Sequence, residues 1–206
     1  MKRRELIKLV GLITGGSMIG GQFFLSGCNA GGKAAGGAFN EANMALLNEI
    51  GETIIPTTNT PGAKAANVAE FMRILVTDCY TQAEQEAFIK GISEIDVVSN
   101  KMHKNDFIKC TPEQRHEILV SLEKEAKEYN QKVWEADKPE REKFKAEKRP
   151  YNFVPSPKHY YSMMRQMSIA GYFNSEIGAK QALEYLPVPG KYDGAYPYKK
   201  GDKAFY

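Results

Sequence analysis

Three helix-start signals constrain the fold of this chain more than any other feature of its sequence. Asn40 is an N-cap residue directly before an apolar periodic segment, and Thr81 with Glu84 forms the capping-box pattern. Thr111 is followed by Pro112, a residue that suits the first position of a helix. Apolar residues after each signal recur three or four positions apart, which indicates amphipathic helices. No segment alternates apolar and polar residues as a strand would, so the sequence predicts an all-α fold.

The same pattern predicts a small irregular bundle of about five helices with an extended aromatic C-terminal tail. The helices are expected at about residues 41–55, 68–79, from 82, from 112 and 156–173. Asn67 is expected to cap the second helix, and Ser156 with Pro157 to start the fifth. The charged residues 138–149 are interpreted as a surface extension of the fourth helix or as a linker, with a functional patch as the alternative. Residues expected to face the core are Met44, Leu47, Ile50, Ile54, Phe71, Ile74, Leu75, Phe88, Ile92, Ile95, Ile118, Leu119, Leu122, Ala126, Tyr129, Val133, Tyr160, Met163, Met164 and Met167.

The N-terminal residues are typical of an export signal. Arg3 and Arg4 are followed by a free position and two apolar residues, which matches the twin-arginine pattern. The apolar stretch of residues 9–25 is interrupted by several glycines, so it predicts a signal-peptide core rather than a permanent membrane span. Because the twin-arginine route carries folded proteins, a partner that must fold before export is expected to travel with this chain.

A lipidation signal follows directly. Residues 25–28 (Leu-Ser-Gly-Cys) resemble the lipobox of bacterial lipoproteins, in which Cys28 is lipidated and becomes the mature N-terminus. The alternative is a plain N-terminal helix with a buried cysteine. We therefore predict a twin-arginine lipoprotein signal peptide at residues 1–27, a flexible Gly/Ala tether at 28–39 and one helical domain at 40–206. The expected location is the periplasm or cell envelope, with the chain anchored to the membrane by lipid on Cys28.

The charge of the chain lies in the leader. The net charge is +3, and residues 1–27 hold four basic side chains and one acidic one, so the remainder is formally neutral. A neutral domain gives no electrostatic reason to expect nucleic-acid binding.

The residue inventory argues against catalysis by this chain. None of His103, His116 and His159 lies in a metalloprotease motif, and no nucleophile elbow or dinucleotide-binding glycine pattern occurs. We therefore expect no catalytic, cofactor-binding or metal-binding residue here. Glu176 could suggest a catalytic carboxylate, but a first-turn acid behind an Asn174 or Ser175 cap is the simpler interpretation.

Two cysteines beyond the leader leave several alternatives open. Cys79 and Cys110 could form a disulfide in an oxidising compartment. A metal site with His103 and His116 is the second alternative, although it lacks the short paired spacing of structural zinc sites. A buried or partner-directed free thiol is the third.

Two irregular segments are candidates for contact with a partner, because exposed aromatic residues dominate interface energetics. One is the proline- and aromatic-rich stretch 150–157, and the other is the tail, 185–206. The alternative for the tail is an arm folded back on its own domain. The loop of residues 57–62 is a third candidate. The predicted partner-interface residues are Phe153, Tyr192, Tyr196, Tyr198, Phe205 and Tyr206.

Four ordered stretches resemble one family. Residues 54–63 (IIPTTNTPGA), 88–96 (FIKGISEID), 171–178 (GYFNSEIG) and 185–190 (YLPVPG) are similar to signatures of the small third subunit of gluconate 2-dehydrogenase-type complexes. Together they span most of the chain after the tether. The lipobox and the short tail after Gly190 depart from the usual pattern of this family.

The resemblance implies a non-catalytic small subunit. Its partner would be an FAD-dependent large subunit of the glucose–methanol–choline (GMC) type that oxidises a sugar, a sugar acid or a glycoside, with a cytochrome c as a further electron acceptor. The small subunit would use the twin-arginine translocase to escort the folded flavoprotein and would then anchor it. FAD is expected in the partner and no cofactor in this chain. The alternatives are a lipoprotein scaffold for an unrelated periplasmic complex and an independent enzyme.

Overall fold

A computed structural model of the chain describes most of the helical domain. The described residues are 37–149, 152–188, 190, 194–197 and 199–205. The predictions for the leader and part of the tail lie outside this range and stay predictions. They concern Arg3, Arg4, Cys28, Tyr192, Tyr198 and Tyr206.

Five α-helices, each at least eleven residues long, form the fold. They are α1 (Glu41–Ile54), α2 (Val68–Asp78), α3 (Gln82–His103), α4 (Pro112–Ala146) and α5 (Tyr160–Phe173). A short 3₁₀ helix, Phe107–Lys109, precedes α4, and a π-helical turn, Gly178–Ala182, follows α5. The described residues contain no β-strand, only an isolated bridge between Glu184 and Phe205. The predicted all-α bundle is confirmed.

The three capping signals all act as predicted. The Asn40 side chain accepts a hydrogen bond from the backbone of Asn43 at 2.9 Å, which starts α1. Thr81 and Glu84 form a complete capping box at α3, and Thr111 forms the same box at α4. Each cap satisfies backbone N–H groups that the first turn would otherwise leave unpaired.

The expectations for α2 are partly wrong. Asn67 adopts a left-handed conformation (φ 50°) and makes no side-chain cap bond. The fully buried residues of the helix include Ala69 and Met72, whereas Ile74 is 43% exposed. The reason is that α2 packs against both α1 and α5. Its buried face is therefore wider than the predicted one and is centred on Ala69 and Met72. Phe71 and Leu75, which were expected inside, are partly buried at its margin.

Helix α5 starts later than predicted. Its N-cap is His159, and residues 153–159 are extended. Ser156, the expected start, instead donates hydrogen bonds from its backbone N–H (2.9 Å) and hydroxyl (2.7 Å) to the Asp137 carboxylate on α4. The backbone N–H of His159 donates to the Asn130 side chain at 2.9 Å. These bonds hold the segment along α4 and delay the helix by about one turn.

Helix α5 is the centre of the bundle, since it packs against all four other helices. Met163, Met164 and Met167 are buried, which confirms that this methionine stripe is core. Close approach to α3 depends on Gly91, where an added Cβ would lie 2.2 Å from Cβ of Tyr160. The helices can therefore meet there only because the position is glycine.

Helix α4 extends beyond the core. Its buried residues, Ile118, Leu119, Leu122 and Ala126, all lie in its first half. Tyr129, expected inside, is 43% exposed. The charged run continues as helix to Ala146 with Pro139 inside it, so the helix-extension alternative is correct up to that residue. No helix among the described residues combines the length and apolar character that a membrane span requires.

Candidate functional site

The three histidines do not form a site together with other ligands. His159 is 6% exposed, and its Nδ1 accepts a hydrogen bond from the backbone N–H of Tyr161 at 3.3 Å. Burial lowers the pKa of His159, an effect that Glu125, 3.8 Å from Nε2, opposes. Nε2 of His103 lies 3.4 Å from a carboxylate oxygen of Glu117. Within the described ranges, no three His, Cys, Asp or Glu side chains are arranged to hold a metal ion.

The two cysteines of the helical domain are both free thiols. Cys110 is buried, with its sulfur 3.3 Å from the hydroxyl oxygen of Ser99, which in turn donates to the carbonyl of Asn105 at 2.7 Å. Cys79 is exposed at the C-terminal end of α2. The proposed disulfide is therefore absent from this structure, because one sulfur lies inside the core and the other faces solvent.

The loop of residues 57–62 is fastened to its own domain. The Glu52 carboxylate accepts hydrogen bonds from the backbone and hydroxyl of Thr57, at 2.8 and 2.7 Å, and from the backbone of Lys64 at 2.9 Å. Burial alone would raise the pKa of Glu52, but these hydrogen bonds outweigh it and hold the pKa below its ordinary value. The Tyr172 hydroxyl donates to the carbonyl of Pro61 at 2.8 Å. The loop thus joins α1 to α5, and its polar groups are largely occupied.

The turn after α5 has a structural explanation. Ser175 Oγ accepts a hydrogen bond from the backbone N–H of Gly178 at 3.0 Å, so Ser175 is the capping residue of the two that the sequence allowed. Glu176 is exposed and pairs with Lys180 at 2.7 Å, an interaction that lowers the pKa of the carboxyl group. Glu176 is accordingly a first-turn surface acid.

A surface groove between α4 and α5 has the shape of a binding site. Its larger part, about 920 Å³, lies between the second half of α4, the extended residues 153–159 and α5. A second part, about 570 Å³, continues towards the end of α1. Glu123, Arg165 and Ile169 line both parts, so the two are continuous. We call this combined feature the α4–α5 groove.

One wall of the groove is an ordered aromatic cluster. Trp134, 61% exposed, has the guanidinium carbon of Arg141 3.6 Å from its ring centroid. The same guanidinium lies 5.3 Å from the ring of Phe153, which in turn lies 6.2 Å from that of Phe144. The bonds between Ser156 and Asp137 hold Phe153 beside α4. The structure thus places Phe153 in a cluster with side chains of α4 that lie 9 to 19 positions earlier in the chain, and its contact with a partner stays a prediction.

The rim of the groove is basic. It carries Lys124, Lys127, Arg141, Lys158 and Arg165 against Glu123 and Asp137. The Asp137 carboxylate is occupied by Ser156, and these hydrogen bonds with nearby Arg141 lower its pKa. Glu123 is shared between Lys127 and Arg165, each 3.7 Å away. This excess of positive charge contrasts with the formal neutrality of the chain after its leader.

Comparison with known protein families shows to which family the chain belongs. The sequence profile of gluconate 2-dehydrogenase subunit 3 matches residues 41–190. The chain belongs to the gluconate 2-dehydrogenase subunit 3 family. No curated protein and no solved structure matched the chain significantly. Membership in this family identifies the chain as a subunit of a dehydrogenase complex.

The stretches that carry the family resemblance lie at contacts between the helices of this subunit 3 protein. Pro61 and Tyr172, which share a hydrogen bond, come from the first and third stretches. In the second stretch, Phe88 is fully buried and Asp96 accepts a hydrogen bond from the backbone of Phe107 at 2.9 Å. These stretches therefore hold the helices together, and the groove lies largely outside them.

The end of the tail of this subunit 3 protein returns to the residues where the tail begins, but aromatic side chains of the tail stay exposed. The backbone N–H of Glu184 donates to the carbonyl of Ala204 at 2.9 Å. The rings of Tyr196 and Phe205 lie 5.3 Å apart, edge to face. Tyr196 is 58% and Phe205 48% exposed. Both interpretations of the tail keep support, since its end returns to the domain while two predicted interface residues remain open to solvent.

Sequence reasoning missed the main residues of the groove. Trp134, Arg141 and Arg165 belong to helices whose charged faces predict ordinary solvated surface. The available signal was Trp134, the single tryptophan, which falls in the charged part of α4 beyond the predicted apolar stripe. A large aromatic residue on a polar helix face is a reason to expect a contact surface.

Proposed function

We propose that this chain is the non-catalytic small subunit of a membrane-associated dehydrogenase whose FAD is held by a large GMC-type partner. The substrate class is a sugar, a sugar acid or a glycoside, and a cytochrome c is the further electron acceptor. The observation that carries the proposal is the family match over residues 41–190. The hydrogen bonds made by the family stretches support a binding role, because they join the helices into one body on which a partner can be held.

The second part of the proposal concerns export. Arg3 and Arg4 direct the chain to the twin-arginine translocase, and the large subunit crosses with it after folding around FAD. Lipid on Cys28 then holds the complex at the membrane surface of the periplasm or cell envelope. Stable anchoring takes more than one acyl chain, which the multiple acylation of a lipoprotein cysteine supplies.

Purification from native membranes tests the partnership. The full chain, tagged at its C-terminus, is isolated in mild detergent, and the eluate is examined for flavin absorbance and sugar-dependent dye reduction. A yellow complex with this activity is the expected result. A colourless complex with an unrelated protein would favour the lipoprotein scaffold, and a flavin bound to the isolated chain would overturn its non-catalytic role.

Two variants separate export from anchoring. Replacing both Arg3 and Arg4 by lysine should retain the chain and its flavoprotein in the cytoplasm. Cys28→Ser should leave export intact and release the complex into the soluble envelope fraction. Normal export of the flavoprotein beside the lysine variant would contradict the escort role.

A further inference from the structure

The α4–α5 groove has the composition of a protein contact surface. Its floor is apolar, with Val120 42% exposed and Ile169 half-buried, and its aromatic wall ends at Trp134. Interfaces typically combine an apolar centre with a polar rim, and tryptophan and arginine are frequent among the residues that dominate binding energy. The stacked Trp134–Arg141 pair therefore has the character of an anchor point.

The size of the groove favours a protein segment over a small molecule. Small-molecule pockets typically occupy about 300–1,000 Å³ and enclose most of the ligand surface. The larger part alone is about 920 Å³, and a continuous second part of about 570 Å³ extends it along α5. An elongated occupant that follows the helix axis fits this outline.

The charge of the rim specifies the chemistry of the occupant. Asp137 is satisfied by Ser156, and Glu123 is already shared between two cations. Among the described residues, by contrast, the ammonium groups of Lys124 and Lys158 have no acidic partner within 4 Å. Both side chains are exposed. Uncompensated cations beside an apolar floor are complementary to a segment that carries carboxylates and apolar side chains.

We infer that the α4–α5 groove binds an acidic segment with one apolar face that belongs to the flavoprotein large subunit. This inference rests on the proposed function for the identity of the partner and adds the surface and its chemistry. Apolar side chains of the segment cover Ile169 and Trp134, and its Asp or Glu side chains face Lys124 and Lys158. A nucleic acid fits less well, because phosphate binding makes no use of an apolar floor.

Charge reversal in the intact complex tests the inference. The double variant Lys124→Glu/Lys158→Glu is compared with Lys90→Glu/Lys101→Glu, which makes the same charge change at exposed positions of α3. The groove variant should recover about tenfold less flavin per tagged chain than wild type, and the α3 variant should match wild type. Thermal unfolding of both variants shows whether the fold is intact.

Zero-length carbodiimide coupling of the wild-type complex gives a second readout that needs no variant. The reagent joins an amine to a carboxylate in contact with it, so cross-links from Lys124 or Lys158 to Asp or Glu of the flavoprotein are expected. Cross-links confined to lysines of α3 or of the tail would overturn the inference.

The outcomes separate the two proposals. If the wild-type chain is purified without any flavoprotein, the proposed function is wrong, and so is the assignment of the acidic segment to the flavoprotein. Flavoprotein that is retained equally by wild type and by the groove variant would overturn the groove inference alone. Binding to anionic vesicles of phosphatidylglycerol is measured as well. A groove variant that keeps its flavoprotein but no longer binds these vesicles would also overturn the groove inference, because the surface would then face lipid.

Discussion

The hydroxyl group of Tyr172 donates a hydrogen bond to the backbone carbonyl of Pro61, 2.8 Å away and 111 positions earlier in the chain. Tyr172 is 1% exposed, so the bond lies at the inner edge of the loop between α1 and α2. It connects two stretches that carry the family resemblance. The loop and the end of α5 are thereby held as one unit.

Loss of this hydroxyl group should destabilise the protein. Tyr172→Phe removes the bond and leaves a carbonyl without its partner, which costs about 1 kcal/mol of the free energy of unfolding. Urea unfolding followed by circular dichroism measures the change. Tyr129→Phe is the matched control, because Tyr129 is 43% exposed and its hydroxyl makes no hydrogen bond among the described residues. Equal stability of the two variants would contradict the structural role of the bond.

A methyl group at Gly91 should disrupt the contact between α3 and α5. The added Cβ would lie 2.2 Å from Cβ of Tyr160, so one helix must move. Overpacking of this kind costs about 1–3 kcal/mol, although alanine is otherwise the better helix residue. Gly190→Ala provides the control, since nothing lies within 4 Å of that position. A Gly91→Ala variant as stable as wild type in urea would show that the helices can separate freely.

His159 should make the protein less stable in mild acid. Burial lowers its pKa below the ordinary value of 6.5 in the folded state, so the unfolded chain binds the proton more readily. Stability is therefore highest above about pH 6.5 and falls as the pH drops from 6.5 towards the folded pKa. Unfolding midpoints between pH 7.5 and 5.5 measure this slope.

A variant identifies the group responsible for that slope. His159→Asn keeps a cap acceptor for the start of α5 but cannot titrate, so its midpoint should vary less with pH than that of wild type. The same replacement at the exposed His116 serves as the control and should retain the wild-type slope. An unchanged slope in the His159 variant would assign the pH dependence to other groups.

The two thiols of the helical domain should differ in reactivity. Cys79 is exposed, so a maleimide should label it in the folded protein within minutes, whereas the buried Cys110 should react only after unfolding. Peptide mass spectrometry without reductant distinguishes the two sites. If neither cysteine were labelled even in denaturant, a disulfide between them would be present and the free-thiol state would be wrong.

Local signals predicted the helices well. The caps at Asn40, Thr81 and Thr111 depend on residues within one turn, so the sequence contains all that is needed to place them. The start of α5 could not be placed in this way, because Ser156 bonds to Asp137, a residue nineteen positions earlier. A capping residue that finds a tertiary partner no longer marks a helix start.

The candidate site was the least predictable part. The sequence predicts Phe153 as a partner-interface residue, but it gives no sign of the contact with Arg141, which requires residues 153–159 to return along α4. The exposed position of Ile74 has the same kind of origin, since the buried face of α2 is set by its two neighbouring helices. Periodicity shows that a helix has an apolar face, whereas only the arrangement of its neighbours decides how much of that face is covered.

Helix α4 also affects how the molecule moves through solution. Its 35 residues span about 52 Å at 1.5 Å per residue, which exceeds the roughly 40 Å diameter of a sphere whose radius of gyration is the ~15 Å of a compact domain of this size. About 30 Å of that length follows Ala126, the last buried residue of the helix. The protein should therefore diffuse more slowly and leave a gel-filtration column earlier than a sphere of equal mass.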